Sequence, residues 1–577
     1  MALDIGSVIL VSDMYLPDNL VSILDKVGIK GYEKLYLSSE TRLSKHHGGM
    51  YDHIICETSC SPGKEFFAIG NNKTSDILNA KKKGITTFYY PKATDKLLNL
   101  DPHQYSGTST NLFFRPEGLW INYEYAKEHF LIRCMLATVA NKYFDNPFIS
   151  FAQHSDFNSD PFFIGYYALG FHMFGFVKWL LETINTKNYN GVHFVARDGF
   201  LPLLAYDALK CVYENAPRSN YIHLSRKSLI PAIIQESVDY FSLDKLIRIQ
   251  SLSAKEFSEI ILGRDLDDSI VTTLKENGIL VDKKFQNKNE YIRFINTINH
   301  MGLDYSKKTD YQRLVKNYLE QHISENDAIV DIGYSATSQM IMAELGFNVD
   351  GYYIHTNTET AGIYSKRLGF EFQTFYPFSP SVSGHIREYL ISQRSSSCIG
   401  YYENNNKASP VYEQDKSTYI ENFLIGEIQR GAVDFIHDFT EKFAEHIPRF
   451  NIKNPESSMP YEFLLSSSKD FDMRLFSECY FEDELFFGEK SKSLYEMWLE
   501  TRNYFKLTAK AENPIVIYPF LENRSRFINA IFYLIYDRRG FKERLILKLR
   551  NRSPITLFMK RYFPRSAQFI KSYLLGN

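Results

Sequence analysis

The sequence predicts an α/β protein in which a short parallel module precedes a larger Rossmann-like module with helical insertions and a helical C-terminal region. Three observations predict it. Between residues 8 and 90, short apolar runs alternate with helical stretches: VILVS, DNLVSILDKVG, KLYLSS, FFAIG, SDILNAKKKG and TTFYY. A second series of strand ends follows in GVHFVARDG, NYIHLSRKS, DAIVDIGYSATS and VDGYYIH. Beyond Tyr419 the patterning is largely helical. Parallel neighbours cannot be joined by a tight turn, so short strands spaced by crossover lengths point to parallel sheets.

In chain order, residues 1–93 form the first module. Residues 91–118 are polar and aperiodic, which places a linker at 94–119. Helical segments at 122–143 and 162–184 open the second module, assigned to 120–420. A mostly helical insertion occupies 238–320 between its second and third strands, and loops are expected at 404–417 and 453–460. Residues 421–523 read as a helical extension, and 524–577 as a basic amphipathic segment. No internal repeat or low-complexity tract interrupts this order.

Composition narrows the function. A chain of 577 residues exceeds one ordinary core. The formal net charge of −2 lacks the basic footprint of a general nucleic-acid binder. The 40 Tyr and 45 Phe suit stacking on sugars, and suit a large core better. Six scattered cysteines, of which only Cys56 and Cys60 are close, offer no second pair at zinc spacing and read as reduced, hence cytoplasmic. No signal peptide is evident, and the longest uncharged apolar run, 162–177, is shorter than the roughly 20 residues of a spanning helix. It is expected to be a buried helix. In 524–577, basic residues interleave with Phe541, Leu545, Leu549, Ile555, Phe558 and Phe563, a pattern that suits peripheral contact with an anionic membrane and equally suits a solvated basic helix pair.

The chemistry-bearing residues of the first module are Ser12 at the end of ILVSDMYLP, Lys45 in SSETRLSKHHGG, and the GNNKTSD of 70–76, with Asn71 and Asp76. In order and spacing they resemble the second, third and fourth motifs of haloacid-dehalogenase (HAD) phosphatases. That resemblance implies a Ser and a Lys that hold a phosphoryl group and two carboxylates that bind Mg²⁺. Two departures stand against activity. Asn71 occupies the place of the first carboxylate, and a neutral amide serves a hard cation poorly. The family nucleophile lies on a strand before the Ser motif, whereas eleven residues precede Ser12 here and Asp4 has no matching context. The first module therefore reads as an incomplete HAD-like Rossmannoid remnant without phosphatase activity. In the resembling fold the missing strand is central, so the remaining strands either pair with each other or leave the sheet gapped.

The second module places polar residues just after its strands, where open α/β sheets bind ligands. They are Arg197-Asp198, Ser225-Arg226-Lys227, and Asp331 with Gly333, Ser335, Thr337 and Ser338. Arginine and lysine beside a hydroxyl-rich turn can cradle phosphate, and Asp198 or Asp331 can hold Mg²⁺ or a ribose hydroxyl. Each stretch alone also reads as an ion pair, a helix cap or a turn. Together with the first-module motifs, ARDG, SRKS and DIGxxxT resemble the dual-domain ribofuranosyltransferases of bacterial O-antigen and capsule synthesis. In that family a HAD-type phosphatase is fused to a glycan phosphoribosyltransferase. The resemblance implies phosphoribosyl pyrophosphate as donor, a lipid-linked glycan as acceptor and Mg²⁺ as cofactor. It also implies a donor site of Arg197, Asp198, Arg226, Lys227, Asp331 and Thr337. REYLISQRSSSCIGYYE offers Arg387, Glu388 and Tyr401 as acceptor-side candidates. The competing classes are a HAD hydrolase and a non-catalytic scaffold, the latter favoured if Arg197, Arg226 and Asp331 do not converge.

Overall fold

The computed structural model describes residues 6–58, 66–97, 130–146, 149, 152, 155–234, 252–259, 265–301, 306–356, 358–376, 384–415, 417–452, 456–481 and 492–500. The basic 524–577 segment, most of the 94–119 linker, Asp4 and Cys60 lie outside them. The chain divides into two compact units: residues 1–104 with 140–149, and residues 105–139 with 150–577.

In the first unit β1 (Ile9–Ser12) pairs in parallel with β2 (Lys34–Leu37), and β3 (Phe67–Gly70) with β4 (Thr86–Tyr89). Helical crossovers join each pair. The first is α1 (Pro17–Lys26), started by a proline in its first turn, with Asp18 and Lys26 placed to oppose the helix dipole. The second is a π-helical turn, Lys73–Leu78, running into Asn79–Lys82. Between β2 and β3 lies α2 (Gly49–Thr58). Its Met50 and Ile54 pack with Tyr36, Ile9 and Val11, and its Tyr51 and Ile55 with Ala80, Ile85 and Ala68. One helix thus covers one face of both ladders. Among the described residues no ladder joins the two pairs, which stand as separate two-stranded sheets.

The second unit holds five parallel strands in the order β6-β5-β7-β8-β9: β5 (Gly191–Val195), β6 (Arg218–Ile222), β7 (Ala328–Tyr334), β8 (Asp350–Thr356) and β9 (Phe372–Thr374). The first four are those read from sequence. The short edge strand β9 was not anticipated, because three residues are too few for a period. After β5 the chain winds outward to β6, then returns past β5 to β7 and onward. The winding therefore reverses between β5 and β7, and the crevice at such a reversal is where open sheets bind ligands.

The apolar run at 162–177 is a buried helix, as expected: a π-helical stretch, Ile164–Leu169, continues as α3 (Gly170–Ile184). Its partner is α10 (Tyr419–Phe443). The two touch backbone to backbone, since a Cβ on Gly165 would lie 1.9 Å from the Ile428 carbonyl oxygen and one on Gly431 would lie 2.3 Å from that of Phe162. Tyr166 donates to Asp438 across the same contact at 2.6 Å. Among the described residues no helix is long and apolar enough to cross a membrane.

Further helices of this unit include α4 (Phe200–Leu209), α5 (Arg226–Ile233), α6 (Ser306–His322), α7 (Thr337–Glu344), α8 (Thr358–Leu368), α9 (Gly384–Ile391) and α11 (Met459–Ser467). The described part of the 238–320 insertion is helical, with Asp268–Glu276 and Lys288–His300 preceding α6. One expectation is corrected. Residues 404–417 are not a plain loop but the turn and second strand of a hairpin, β10 (Cys398–Asn404) with β11 (Lys407–Tyr412). Asn405 and Asn406 take left-handed φ values of 50° and 61°, the conformation a two-residue hairpin turn requires and asparagine tolerates. Likewise 453–460 is partly helical, with Glu456–Ser458 a 3₁₀ turn leading into α11.

Candidate functional site

The carboxyl ends of β5 and β7 make sharp turns. Gly199 donates back to the Val195 carbonyl at 2.7 Å, and the residue between, Arg197, sits at φ 68°. At the end of β7, Tyr334 and Ala336 take φ 104° and 53°. Gly333, at φ 118°, admits the strand β8 backbone so closely that a Cβ would lie 1.7 Å from the His355 carbonyl oxygen. Left-handed backbone at non-glycine residues costs about 1–3 kcal/mol each and gathers where surrounding structure fixes a working geometry. Here three such residues stand at the two strands that flank the winding reversal.

A third segment, residues 392–397 after α9, closes over the β5 turn. Gln393 donates its amide to the Arg197 carbonyl at 2.8 Å. The Tyr221 hydroxyl accepts from the Arg197 amide at 2.7 Å and donates to the Gln393 Oε1 at 2.9 Å. Arg197 donates to the Ser397 hydroxyl, and Ser392 to an oxygen of Asp198. The same segment brings Arg394, whose guanidinium lies 3.7 Å from the Tyr389 ring centroid.

These contacts assemble a charge cluster. Asp198 is raised above the ordinary carboxylate range by burial, opposed by the Ser392 hydrogen bond and by Arg197, Arg226 and Arg394. Asp331 is pushed up to about 8, first by burial and then by the neighbouring charge of Asp198, with Arg226 acting the other way. Both carboxylates and all three arginines keep partial solvent access. Burial also lowers Arg394, and the nearby Arg197 adds to the effect. The Nε atoms of Arg197 and Arg394 are buried without a hydrogen-bond partner. Like charges held together with donors unspent favour an anion between them.

The other anticipated residues divide. Gly333, Ser335, Thr337 and Ser338 form the turn into α7, whose first turn has no side-chain cap. Ser225 does not join a phosphate cradle. Its hydroxyl accepts from the Ser228 amide at 3.1 Å in a capping box that starts α5, and donates to the Cys398 carbonyl. Lys227 pairs with Glu413 at 3.1 Å. The acceptor-side assignments are corrected in two of three cases. Arg387 is buried in a bidentate pair with Glu462, at 2.5 and 2.7 Å. The Tyr401 hydroxyl donates to the His223 carbonyl at 2.8 Å and the ring packs on Tyr318. Glu388 keeps partial exposure and acts electrostatically on Tyr334 at the end of β7.

In the first unit Lys45 does reach Asp76, at 2.7 Å. The second Asp76 oxygen accepts from the Asn72 amide at 2.9 Å, and Asn72 caps the following turn. Each Asp76 oxygen therefore accepts from one protein donor, while Asn71 is exposed beside it. Among the described residues no group of three or more His, Cys, Asp or Glu forms a metal cage. Asp198, beside the arginines, is the carboxylate that would contact a Mg²⁺ carried in on substrate oxygens, which leaves Asp331 to take a proton.

Arg394, Ser392 and Gln393 escaped the sequence reading. The available signal was SQRSSS, one arginine in a hydroxyl-rich turn directly after a helix. Compared with protein-family models and with curated proteins, the chain matches none.

Proposed function

We propose that the second unit is a phosphoribosyl-type glycosyltransferase of bacterial surface-polysaccharide (O-antigen or capsule) assembly. In this reading it moves 5-phosphoribose from phosphoribosyl pyrophosphate to a lipid-linked glycan acceptor. The observation that supports it is the gathering of Arg197, Arg226 and Arg394 around Asp198 and Asp331 at the winding reversal. The donor carries several negative charges, which three arginines and the uncapped start of α7 would neutralise. The acceptor hydroxyl oxygen forms a bond to the anomeric carbon, and the bond from that carbon to pyrophosphate breaks. Asp331, poised near neutrality, receives the hydroxyl proton in its ionised form. Bound Mg²⁺ would supply charge neutralisation on the leaving pyrophosphate. With Asp76 occupied by Lys45 and Asn72, the first unit is not expected to remove the 5-phosphate, so the product retains it.

Calorimetry with phosphoribosyl pyrophosphate and Mg²⁺, followed by mass spectrometry of a glycan acceptor, tests the reading. Binding and a phosphoribose mass increment are expected. A folded chain that does not bind the donor overturns it and leaves the scaffold reading ahead. Peripheral membrane contact through residues 524–577 belongs to the same proposal. Flotation with anionic vesicles is expected to be lost on deleting that segment, and unchanged flotation rejects it.

A further inference from the structure

The last carbonyls of a helix have no partner within it, and those of α9 find theirs in two places. The Glu388 carbonyl accepts from the Ser392 amide and hydroxyl, at 2.9 and 2.7 Å. The carbonyls of Leu390, Ile391 and Ser392 all accept from one buried side chain of α10, the amide nitrogen of Gln429, at 3.2, 3.2 and 2.9 Å. Three acceptors around it dictate which way this amide faces, because only its NH₂ end can donate. The exit of α9 is thus capped by a residue from another helix.

A second contact fixes the same stretch. About two turns earlier on α10, the buried Glu421 accepts from the Tyr389 hydroxyl at 2.7 Å. Tyr389 is the ring on which the Arg394 guanidinium lies. Glu421 is held in turn by the amides of Thr418 and Tyr480, at 2.8 and 3.0 Å. Gln429 stands between Ile428 and Gly431, the two points where α10 meets the backbone of Gly165 and Phe162. Both contacts therefore start from a helix that has little freedom to shift.

What they restrain would otherwise separate. Arg197 and Arg394 repel each other, and residues 392–397 hold both. Gln393 donates to the Arg197 carbonyl, Ser397 accepts from its guanidinium, and Ser392 donates to Asp198. A looser segment would let the two guanidiniums swing apart, and an anion would then have to gather them at a cost in affinity.

We propose that Gln429 and Tyr389 are positioning residues which, on the reading that the arginine cluster binds an anion, let α10 set where Arg197 and Arg394 stand beside Asp198. Neither residue touches the anion itself. Their effect is on how far the site is organised before the anion arrives.

The test is calorimetry of the whole chain with pyrophosphate in the presence of Mg²⁺, on the unmodified protein and on Gln429→Met, Tyr389→Phe and Tyr166→Phe. Methionine keeps the length of Gln429 without its donors, and phenylalanine keeps the ring under Arg394 without its hydroxyl. Tyr166→Phe removes the Asp438 bond on α10 and touches neither contact, so it reports what loosening α10 does by itself. Affinity is expected to fall about tenfold or more in Gln429→Met, about three- to tenfold in Tyr389→Phe and less than about twofold in Tyr166→Phe. Adding Arg394→Ala to Gln429→Met should weaken binding by less than the product of the two single effects, since the glutamine acts in part through that arginine. Undiminished affinity in Gln429→Met, an equal loss in Tyr166→Phe, or fully multiplicative losses overturns the proposal. Should Gln429→Met not fold, undiminished affinity in Tyr389→Phe overturns it. Absence of pyrophosphate binding by the unmodified chain removes the anion site and the positioning role together, whereas binding that these substitutions leave alone removes the positioning role only.

Discussion

Both units place polar side chains at the carboxyl ends of parallel strands, yet different neighbours hold them. In the second unit an unbroken sheet of five strands recesses Asp198 and Asp331 against each other and raises both. In the first there are two separate two-stranded ladders, and Asp76 is held by Lys45 and the backbone amide of Asn72. The same residue types therefore differ in chemistry because of what surrounds them. In the second unit desolvation and a neighbouring carboxylate shift the group, whereas in the first a lysine ammonium and a backbone amide hold it.

The largest test of this contrast is Asp331→Asn. Turnover is expected to fall about 10²–10⁴-fold, with donor affinity much less affected, as for loss of a general base. The same change should raise the melting temperature at neutral pH. A carboxyl whose folded value lies above its unfolded one contributes stability below the unfolded value, and that contribution is lost as pH rises toward about 8. A variant that loses activity and also melts lower would show that Asp331 is structural.

Next in size, Arg197→Ala, Arg226→Ala and Arg394→Ala are each expected to weaken donor binding by roughly 1.5–3 kcal/mol. Calorimetry reads this directly. If Arg394→Ala alone is silent, the 392–397 segment is scaffolding for Arg197 rather than part of the anion site.

A smaller effect is the pH profile. Turnover should rise between pH 7 and 9 as the group held near 8 ionises, and that limb should vanish in Asp331→Asn. The smallest expected effect is in the first unit. Asp76→Ala should leave hydrolysis of ribose 5-phosphate with Mg²⁺ at background, where the unmodified chain already stands. Sustained hydrolysis by the unmodified chain that Asp76→Ala abolishes would break the comparison.

How far the sequence carried depends on the distance over which each feature is determined. Strands β1 to β8 and the turns after β5 and β7 are written locally, in apolar runs ended by Arg197-Asp198 or Asp331-Ile332-Gly333. The gathering of Arg197, Arg226 and Asp331 rests on strand order, which local patterning does not encode. Arg394 reaches the cluster through tertiary contacts of a turn that has no strand before it. Ser225 shows the converse, because a helix cap and a phosphate cradle call for the same residue types, and only the Ser228 and Cys398 contacts separate them. Arg387 and Tyr401 were misplaced since burial of a charged or phenolic side chain depends on partners such as Glu462, 75 residues away.

The backbone contact between the 164–184 helix and α10 also bears on how the chain is made. Tyr166 and its partner Asp438 are 272 residues apart, so at about 5–20 residues per second the ribosome takes roughly 14–54 s to deliver the second helix after the first. Through that interval Phe171, Phe174 and Val177, all fully buried in the finished unit, have no α10 to cover them. A nascent chain stalled before Tyr419 would present this uncovered stripe to chaperones or to other nascent chains. The folded yield of the unit is then expected to depend on synthesis rate and chaperone supply as well as on its final stability.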